Sequence, residues 1–317
     1  MILRALVVLA IVAATALLPY VASGYVVSVA IQLFMFMALA YSWNVIGGYA
    51  GYPHFGQVGF FGIGAYVTAI LVGTGWHWAS AALASALSAA ALAVLLGATL
   101  LHLRGPFFAI GMFGLSRIFE AVAFSWGDLT GGGTGLFLPP VSDLTLIYFA
   151  FAAIALGMLA LTWHIDRSRF GLKLLAIRED EVAAEAFGLR TTRLKITAFA
   201  ISALAPGACG GLYGVYLSYI DPPTAFGVNV DLTTIAMVLL GGMGTLFGPL
   251  IGAIVLGILN EVLWANLPEV YLAVTGLCII VAVMFMPRGI IDLAIRRGWL
   301  RRDRLSMRRA APDRTRP

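Results

Sequence analysis

Long apolar runs, each about as long as a lipid bilayer is thick, occupy most of this chain. A helix needs about 20 mainly apolar residues to cross the hydrocarbon core of a membrane. Runs of this kind predict spans at Ile2–Leu18, Tyr25–Ile46, Ala79–Leu101, Phe107–Phe124, Leu146–Trp163, Ile196–Tyr219 and Tyr271–Met286. Val58–Val72 is a shorter candidate, and Leu232–Leu263 is too long for one span and is interrupted by glycine.

The composition agrees with a membrane protein. Of the 317 residues, 61% are hydrophobic and 11% are charged, whereas a soluble domain carries about 25% charged residues. We therefore predict an all-α polytopic membrane protein with about 8–10 transmembrane helices, some of them glycine-broken or re-entrant. The net charge of +5 does not indicate nucleic-acid binding, because the basic residues cluster in two short segments.

The positions of Lys and Arg predict the orientation. Of the twenty, ten lie in the tail 288–317 and seven in the loop 164–195, which places both segments in the cytoplasm by the positive-inside rule. Arg4 places the N-terminus there too, so both termini are expected to be cytoplasmic. Ser125–Asp143 and Ile220–Asp231 lack Lys and Arg and are expected outside. The chain then divides into a transmembrane domain, 1–287, and a basic tail, 288–317, that is expected to be disordered.

Two interrupted segments are similar to each other. Phe55-Gly56 is followed by Gly64-Ala65, and Phe247-Gly248 is followed by Gly252-Ala253. Paired glycine-interrupted segments predict a two-half internal repeat with a transport path between the halves. The alternative is that these small residues only serve helix contacts in the membrane. In either case Leu232–Leu263 must begin and end outside, as a re-entrant hairpin or as two short spans.

The charged loop 164–195 is unusual in so apolar a chain. Leu172, Ala176, Ala183 and Phe187 recur at near-helical spacing, which predicts one amphipathic helix over Leu172–Phe187. Gly188 follows as a left-handed cap, and Arg178 can pair with Glu181, three residues further on. The helix is either a docking element for a soluble partner or a solvated loop helix, and periodicity alone leaves both open.

Several kinds of chemistry have no motif in the sequence. There is no G-x-x-x-x-G-K-[ST] phosphate loop, and His54, His77, His102 and His164 have no metal-ligand spacing. We therefore expect no enzyme activity, no cofactor and no metal in this chain. Cys209 and Cys278 lie in apolar runs and are interpreted as packing residues.

Six stretches in order resemble the LivH/LivM-type permeases of branched-chain amino-acid ABC importers, more on the LivM side. They are Asn44–Tyr66, Arg104–Ile110, Gly131–Leu136, Ile177–Gly188, Lys195–Tyr213 and Gly241–Ala253. The fourth contains Ala-Ala-x-x-x-Gly, which in such permeases belongs to the cytoplasmic loop that enters a cleft on the ATPase. Here Val182 stands where that pattern has Glu, and Pro206 stands where Ala is usual.

The resemblance implies a subunit of an inner-membrane importer. Its implied partners are a homologous LivH-type permease, two ABC ATPases that bind ATP and magnesium, a periplasmic solute-binding protein and membrane lipid, with no nucleic acid. The ATPase-coupling residues implied are Arg178, Glu179, Asp180, Glu181, Ala183, Ala184, Glu185 and Gly188. The solutes implied are branched-chain or related amino acids, and in some branches urea or short amides.

A translocation path for a zwitterion needs donors within the membrane, which broken helices supply through free backbone N–H groups. The path candidates are Asn44, Gly48, Gly51, His54, Gln57, Gly64, Arg117, Glu120, Gly242, Gly244 and Gly248. Arg117 and Glu120 form either a packing ion pair or a path element. Alternatives for the whole chain are an ion-coupled secondary transporter and an ABC permease for another solute such as a sugar.

Overall fold

The computed structural model describes residues 15–103, 105–141 and 143–266, with 269, 273, 276–277, 280 and 289–292. The predicted spans Ile2–Leu18 and Tyr271–Met286 and the tail 288–317 lie mostly outside these residues. The main helices are α1 (Gly24–Trp43), α2 (Gln57–Gly73), α3 (Trp78–Leu100), α4 (Pro106–Ser125), α6 (Leu144–Arg167), α9 (Thr191–Leu217), α11 (Val228–Gly241) and α12 (Gly248–Asn266).

Shorter elements connect these helices. They are a π-helical turn (Asn44–Tyr49), α5 (Gly127–Thr130), a 3₁₀ turn (Gly132–Thr134), β1 (Leu136–Phe137), α7 (Arg169–Glu179), α8 (Glu181–Ala186), β2 (Tyr219–Ile220) and α10 (Pro222–Ala225).

Seven described stretches, of 19 to 27 residues, are long and apolar enough to cross a membrane. At about 1.5 Å per residue they reach roughly 28–40 Å, against about 30 Å of hydrocarbon. The 17-residue α2 is a shorter apolar helix beside them. The prediction of an all-α polytopic membrane protein is confirmed, and its count of about 8–10 spans includes two that lie mostly outside the described residues.

Close backbone contacts hold α9 against α2 and α3. A Cβ added at Gly64 on α2 would lie 2.0 Å from the carbonyl oxygen of Gly207 on α9. One added at Gly207 would lie 2.6 Å from the Cβ of Ala89 on α3. Small residues let helices approach this closely in a membrane, where packing rather than the hydrophobic effect drives association. Gly64 is therefore a helix-contact residue in this fold.

Pro206 lies inside α9, and the helix continues on both sides of it. A helical proline has no N–H for the carbonyl four residues earlier, which here belongs to Ser202. The buried hydroxyl of Ser42 on α1 donates a hydrogen bond to that carbonyl oxygen. A side chain from a neighbouring helix thus satisfies the group that the proline frees, which is how membrane helices tolerate proline.

The two segments predicted outside meet at one end of the bundle. β1 and β2 pair antiparallel, with Leu136 opposite Ile220 and Phe137 opposite Tyr219. The segments 125–143 and 220–231 therefore lie on the same side of the bundle, as the charge argument requires.

The predicted interruption of Leu232–Leu263 is present. α11 ends at Gly241, Gly242 has a φ of 128°, and α12 begins at Gly248. Gly242 therefore adopts a backbone conformation that other residues rarely take. With the short α10 included, Pro222–Gly241 is long enough to span, as is Gly248–Asn266, which favours two spans over a re-entrant hairpin.

Candidate functional site

The two glycine breaks of the chain meet each other. Asn44, at the start of the π-helical turn, is fully buried and contacts the turn between α11 and α12. Its side-chain oxygen accepts a hydrogen bond from the N–H of Gly244 at 2.7 Å, and its Nδ2 donates to the carbonyl oxygen of Thr245 at 3.1 Å. We call this contact, formed by residues 44–48 and 242–245, the break junction.

Glycine is required at the break junction for steric reasons. A Cβ at Gly48 would lie 2.0 Å from the Asn44 side-chain oxygen and 2.8 Å from the Gly244 nitrogen. Gly244 has a φ of 75°, and a Cβ there would lie 2.9 Å from the Gly48 carbonyl oxygen. The two backbones are therefore in direct contact, and no larger residue fits without a shift of one of them.

The charged loop contacts the break junction through Arg178. Its Nη1 donates a hydrogen bond to the carbonyl oxygen of Gly48 at 2.6 Å. A Cβ at Gly244 would lie 2.4 Å from the same nitrogen, and one at Gly51 would lie 2.8 Å from the Arg178 Cγ. One side chain of the loop thus lies against both breaks. Glu181 pairs with Lys195, and the Arg178–Glu181 pair stays a prediction.

A buried ion pair fixes the loop to the bundle. Lys195, whose side chain is 4% exposed, donates to Glu181 at 2.6 Å, to the Tyr52 hydroxyl at 3.0 Å and to the Leu101 carbonyl oxygen at 3.0 Å. The Tyr52 hydroxyl donates in turn to Glu181. All three donors of the ammonium group are satisfied, which is the condition under which a buried charge is tolerated.

The loop contains two helices where one was predicted. Asp180 is extended (φ −159°, ψ 109°), and its carboxylate accepts a hydrogen bond from the N–H of Ala183 at 3.0 Å. Asp is a strong N-cap residue, so it starts the new helix α8 rather than continuing α7. Gly188 has a φ of 81°, the left-handed conformation predicted for it.

The apolar stripe of the predicted amphipathic helix is not the buried face of the loop. Leu174, Ile177 and Ala184 are buried, whereas Leu172 is 48% exposed and Phe187 is 88% exposed. The Ser168 cap starts α7 at Arg169, and the break at Asp180 resets the helix, so one continuous period does not describe the loop.

Large apolar side chains of the loop therefore face outward. Val182 is also exposed, at 61%. We call Leu172, Val182 and Phe187 the exposed apolar set of the loop. Ala184 packs into the protein's own core and is not available to a partner. Glu179 and Asp180 are exposed, and Glu185 accepts a hydrogen bond from the Thr191 hydroxyl.

His54 and Gln57 lie in the protein core. The His54 ring packs against Trp43, Phe108 and Phe199 and is 2% exposed. Gln57 donates to the Leu39 carbonyl oxygen at 3.0 Å. Gly248 starts α12, where a Cβ would meet the Gly242 carbonyl oxygen at 2.1 Å.

Arg117 and Glu120 form the expected ion pair on α4, partly exposed at 31% and 20%. Arg117 also donates to the carbonyl oxygen of Phe226, so the pair connects α4 to the segment before α11. This contact favours the packing interpretation, although a role in the path stays a prediction.

Sequence reasoning missed Asp231, which was assigned to an outside loop. It is 2% exposed on α11, and its carboxylate accepts a hydrogen bond from the N–H of Val58 at 2.8 Å. Val58 is in the first turn of α2, where backbone N–H groups have no helical partner, so Asp231 caps that helix from a distance. Its position just before a long apolar run was the available signal.

The described residues contain no group of three or more His, Cys, Asp or Glu side chains arranged to hold a metal ion.

Comparisons with known proteins agree with the resemblance. A family model described as branched-chain amino acid transport system, permease component, matches residues 25–283. The chain is 29% identical over 309 residues to the high-affinity branched-chain amino acid transport system permease protein LivM of Salmonella typhimurium, covering 87% of this chain and 72% of that protein.

The LivM protein of Escherichia coli K12 is 28% identical over the same shares. The LivH protein of that organism, a permease of the same kind of system, is 34% identical over 137 residues, which are 43% of this chain and 44% of LivH. No solved structure matches this chain.

Proposed function

This chain belongs to the family of permease components of branched-chain amino acid transport systems, and from that membership we propose that it forms half of the membrane path of an ABC importer. The proposed solutes are branched-chain or related amino acids, as the names of the LivM and LivH relatives suggest. The other half of the path is a LivH-type permease, in the inner membrane of a bacterium.

The contact between Arg178 and the break junction carries the proposal. An importer subunit without its own phosphate loop must receive movement from an ATPase and pass it to the path. The loop 164–195 contacts Gly48 through Arg178, and Gly48 lies against Gly244 of the other break. A displacement of the loop therefore changes the geometry of both breaks through one hydrogen-bonded side chain.

The exposed apolar set of the loop is the proposed contact with the ATPase. Phe187, at 88% exposure, and Val182, at 61%, lie on or beside α8 on a loop whose charge predicts a cytoplasmic location. Exposed apolar residues at the centre of an interface supply much of its binding energy. ATP and magnesium bind to the ATPases, the binding protein delivers the solute from the periplasmic side, and both termini lie in the cytoplasm.

Reconstitution tests this proposal. The chain is combined with its permease partner, the ATPases and the binding protein in proteoliposomes, and leucine uptake is measured with and without ATP. We expect uptake to require ATP and every subunit. Leucine uptake by this chain alone, driven by an ion gradient without ATP, would show a secondary transporter and overturn the proposal.

Two variants separate docking from transmission. Phe187→Asp is expected to reduce co-purification of the ATPases. Phe137→Asp, at a similarly exposed site (83%) at the other end of the bundle, is expected to leave co-purification unchanged. Arg178→Ala is expected to retain ATPase binding and hydrolysis and to lose at least about tenfold in uptake, since a hydrogen bond to a charged group is lost. Arg190→Ala, on the exposed part of the same loop, is the matched control.

A further inference from the structure

A cavity of about 460 Å³ lies between α1, α11 and α12. It reaches from Tyr25, whose hydroxyl donates to Glu261 at the far end of α12, to Phe36 and Met237 deeper in the bundle. The volume is within the range of small-molecule binding sites, which is roughly 300–1,000 Å³.

Polar side chains from all three helices line this cavity. They are Ser28 and Gln32 on α1, Asn229 and Thr233 on α11, and Asn260 and Glu261 on α12. The first two pairs are each four residues apart, which places each pair on one face of its helix. Ser28 and Gln32 are also the only polar residues of α1 between Val26 and Ala40. In this part of α1 the polar groups are therefore confined to the face that lines the cavity.

The side chain of Gln32 is exposed, so contact of this face of α1 with lipid would be energetically unfavourable. Gln32 lies seven residues from Tyr25, about 10 Å along the helix, in the interior of an apolar segment, yet its side chain is exposed. Polar groups inside a membrane normally face a partner or a water-filled path, because hydrocarbon offers them no hydrogen bond. Asn229 is exposed in the same way on α11.

The same three helices form the break junction at their other ends. α1 leads into Asn44, α11 ends at Gly241, and α12 begins at Gly248. The cavity thus lies on the side opposite to the loop 164–195, which by charge is the outer side. A ligand in the cavity therefore contacts the three helices that lead into the break junction, which Arg178 contacts at the opposite end.

We infer that this cavity is a binding site for a zwitterionic amino acid with an aliphatic side chain. The solute occupies this site during its passage through the importer. The inference rests on the proposed function and adds to it a site and the groups that recognise the solute. Glu261 attracts the ammonium group, and the side-chain amides of Gln32 and Asn229 donate to the carboxylate. Phe36, Met237 and Trp264 provide the apolar wall for the aliphatic side chain.

Cysteine protection in the complete assembly tests the site. Cys209 and Cys278 are first replaced by Ala, and Thr233→Cys is then treated with a membrane-impermeant methanethiosulfonate. We expect saturating free leucine to slow this reaction at least about fivefold, and 4-methylpentanoate, which lacks the ammonium group, to leave it unchanged. Leu232→Cys, on the same helix, 49% exposed and outside the cavity lining, is the control whose rate does not respond to leucine.

Charge removal gives a second readout. Glu261→Gln keeps an acceptor for the Tyr25 hydroxyl but loses the negative charge, so leucine protection and ATP-driven uptake are each expected to fall about tenfold or more. Glu269→Gln, an exposed carboxylate beyond the end of α12, is expected to change neither. Gln32→Leu, which removes a donor and fills the cavity wall, is expected to act like Glu261→Gln.

Two results would overturn the inference. One is a Thr233→Cys reaction rate that is the same with and without leucine. The other is a reaction that occurs only when the partner permease is omitted, since the cavity would then be a subunit contact. Failure of the proposed function has a different signature, namely no ATP-dependent uptake by the unmodified assembly, and the protection experiment with free leucine can still be read in that case.

Discussion

Replacement of Lys195 by Met should destabilise the protein strongly. The side chains of Lys195 and Glu181 are 4% and 13% exposed, so solvent screens their interaction little. Met has a similar length but no charge, and the change leaves the Glu181 carboxylate buried without its ammonium partner. The Leu101 carbonyl oxygen also loses its 3.0 Å hydrogen bond. Breaking such a pair from one side costs about 3–5 kcal/mol.

A double-mutant cycle isolates the interaction between the two groups. Glu181→Gln removes the negative charge but still accepts a hydrogen bond from Tyr52, so the double variant should recover part of the loss. We expect a coupling free energy of at least about 1 kcal/mol between Lys195→Met and Glu181→Gln. The measurement is denaturant unfolding in detergent micelles, followed by tryptophan fluorescence.

Lys173→Met is the matched control. Lys173 is the only other lysine of the chain and is exposed on α7, so its replacement should change the free energy of unfolding by no more than about 0.5 kcal/mol. Equal costs for the two lysine variants, or strictly additive costs for Lys195→Met and Glu181→Gln, would refute the argument that this pair anchors the loop.

Three further substitutions test the break junction and the helix contacts. Ser42→Ala should lower the free energy of unfolding by about 1 kcal/mol, and most of that loss should vanish in a Pro206→Ala background, where the helix supplies its own N–H donor. Gly48→Ala should cost about 1–3 kcal/mol by overpacking and should reduce solute uptake. Asp231→Leu should cost about 1–3 kcal/mol, because the buried N–H of Val58 loses its acceptor, and hydrogen exchange at the start of α2 should accelerate.

Each of these substitutions has a control variant. Gly114→Ala on α4, where an added Cβ has open space around it, should be tolerated, unlike Gly48→Ala. Asp231→Asn keeps an acceptor oxygen and should cost less than Asp231→Leu. If Ser42→Ala is equally destabilising with and without Pro206, the hydroxyl does not serve the carbonyl that the proline frees.

The sequence was sufficient for features that depend on local composition. Apolar runs predicted the spans, the glycine run predicted the end of α11 at Gly241, and Gly188 was expected to be left-handed. These features depend on a residue's own conformational preference or on the thickness of the bilayer. Predicting them therefore requires no knowledge of distant contacts.

Tertiary contacts could not be predicted in the same way. Asn44 and Gly244 are 200 residues apart, and nothing in either segment identifies the other. Arg178 was assigned to a neighbour three residues away, because a helical repeat assumes a continuous helix. The Asp180 cap ended that helix, and the Arg178 guanidinium group donates a hydrogen bond to the carbonyl oxygen of Gly48. The polar face of α1 was not predicted, because Ser28 and Gln32 lie in a run that is otherwise apolar.

The arrangement at Arg178 has a consequence for leakage. Because one guanidinium group touches the turns after α1 and after α11, neither turn can change shape without disturbing a contact of the other. Intermediate forms with only one turn displaced are therefore unfavourable, and the two turns should move together. We therefore expect the proposed path to admit its solute only when both turns move, and to stay closed to ions at other times.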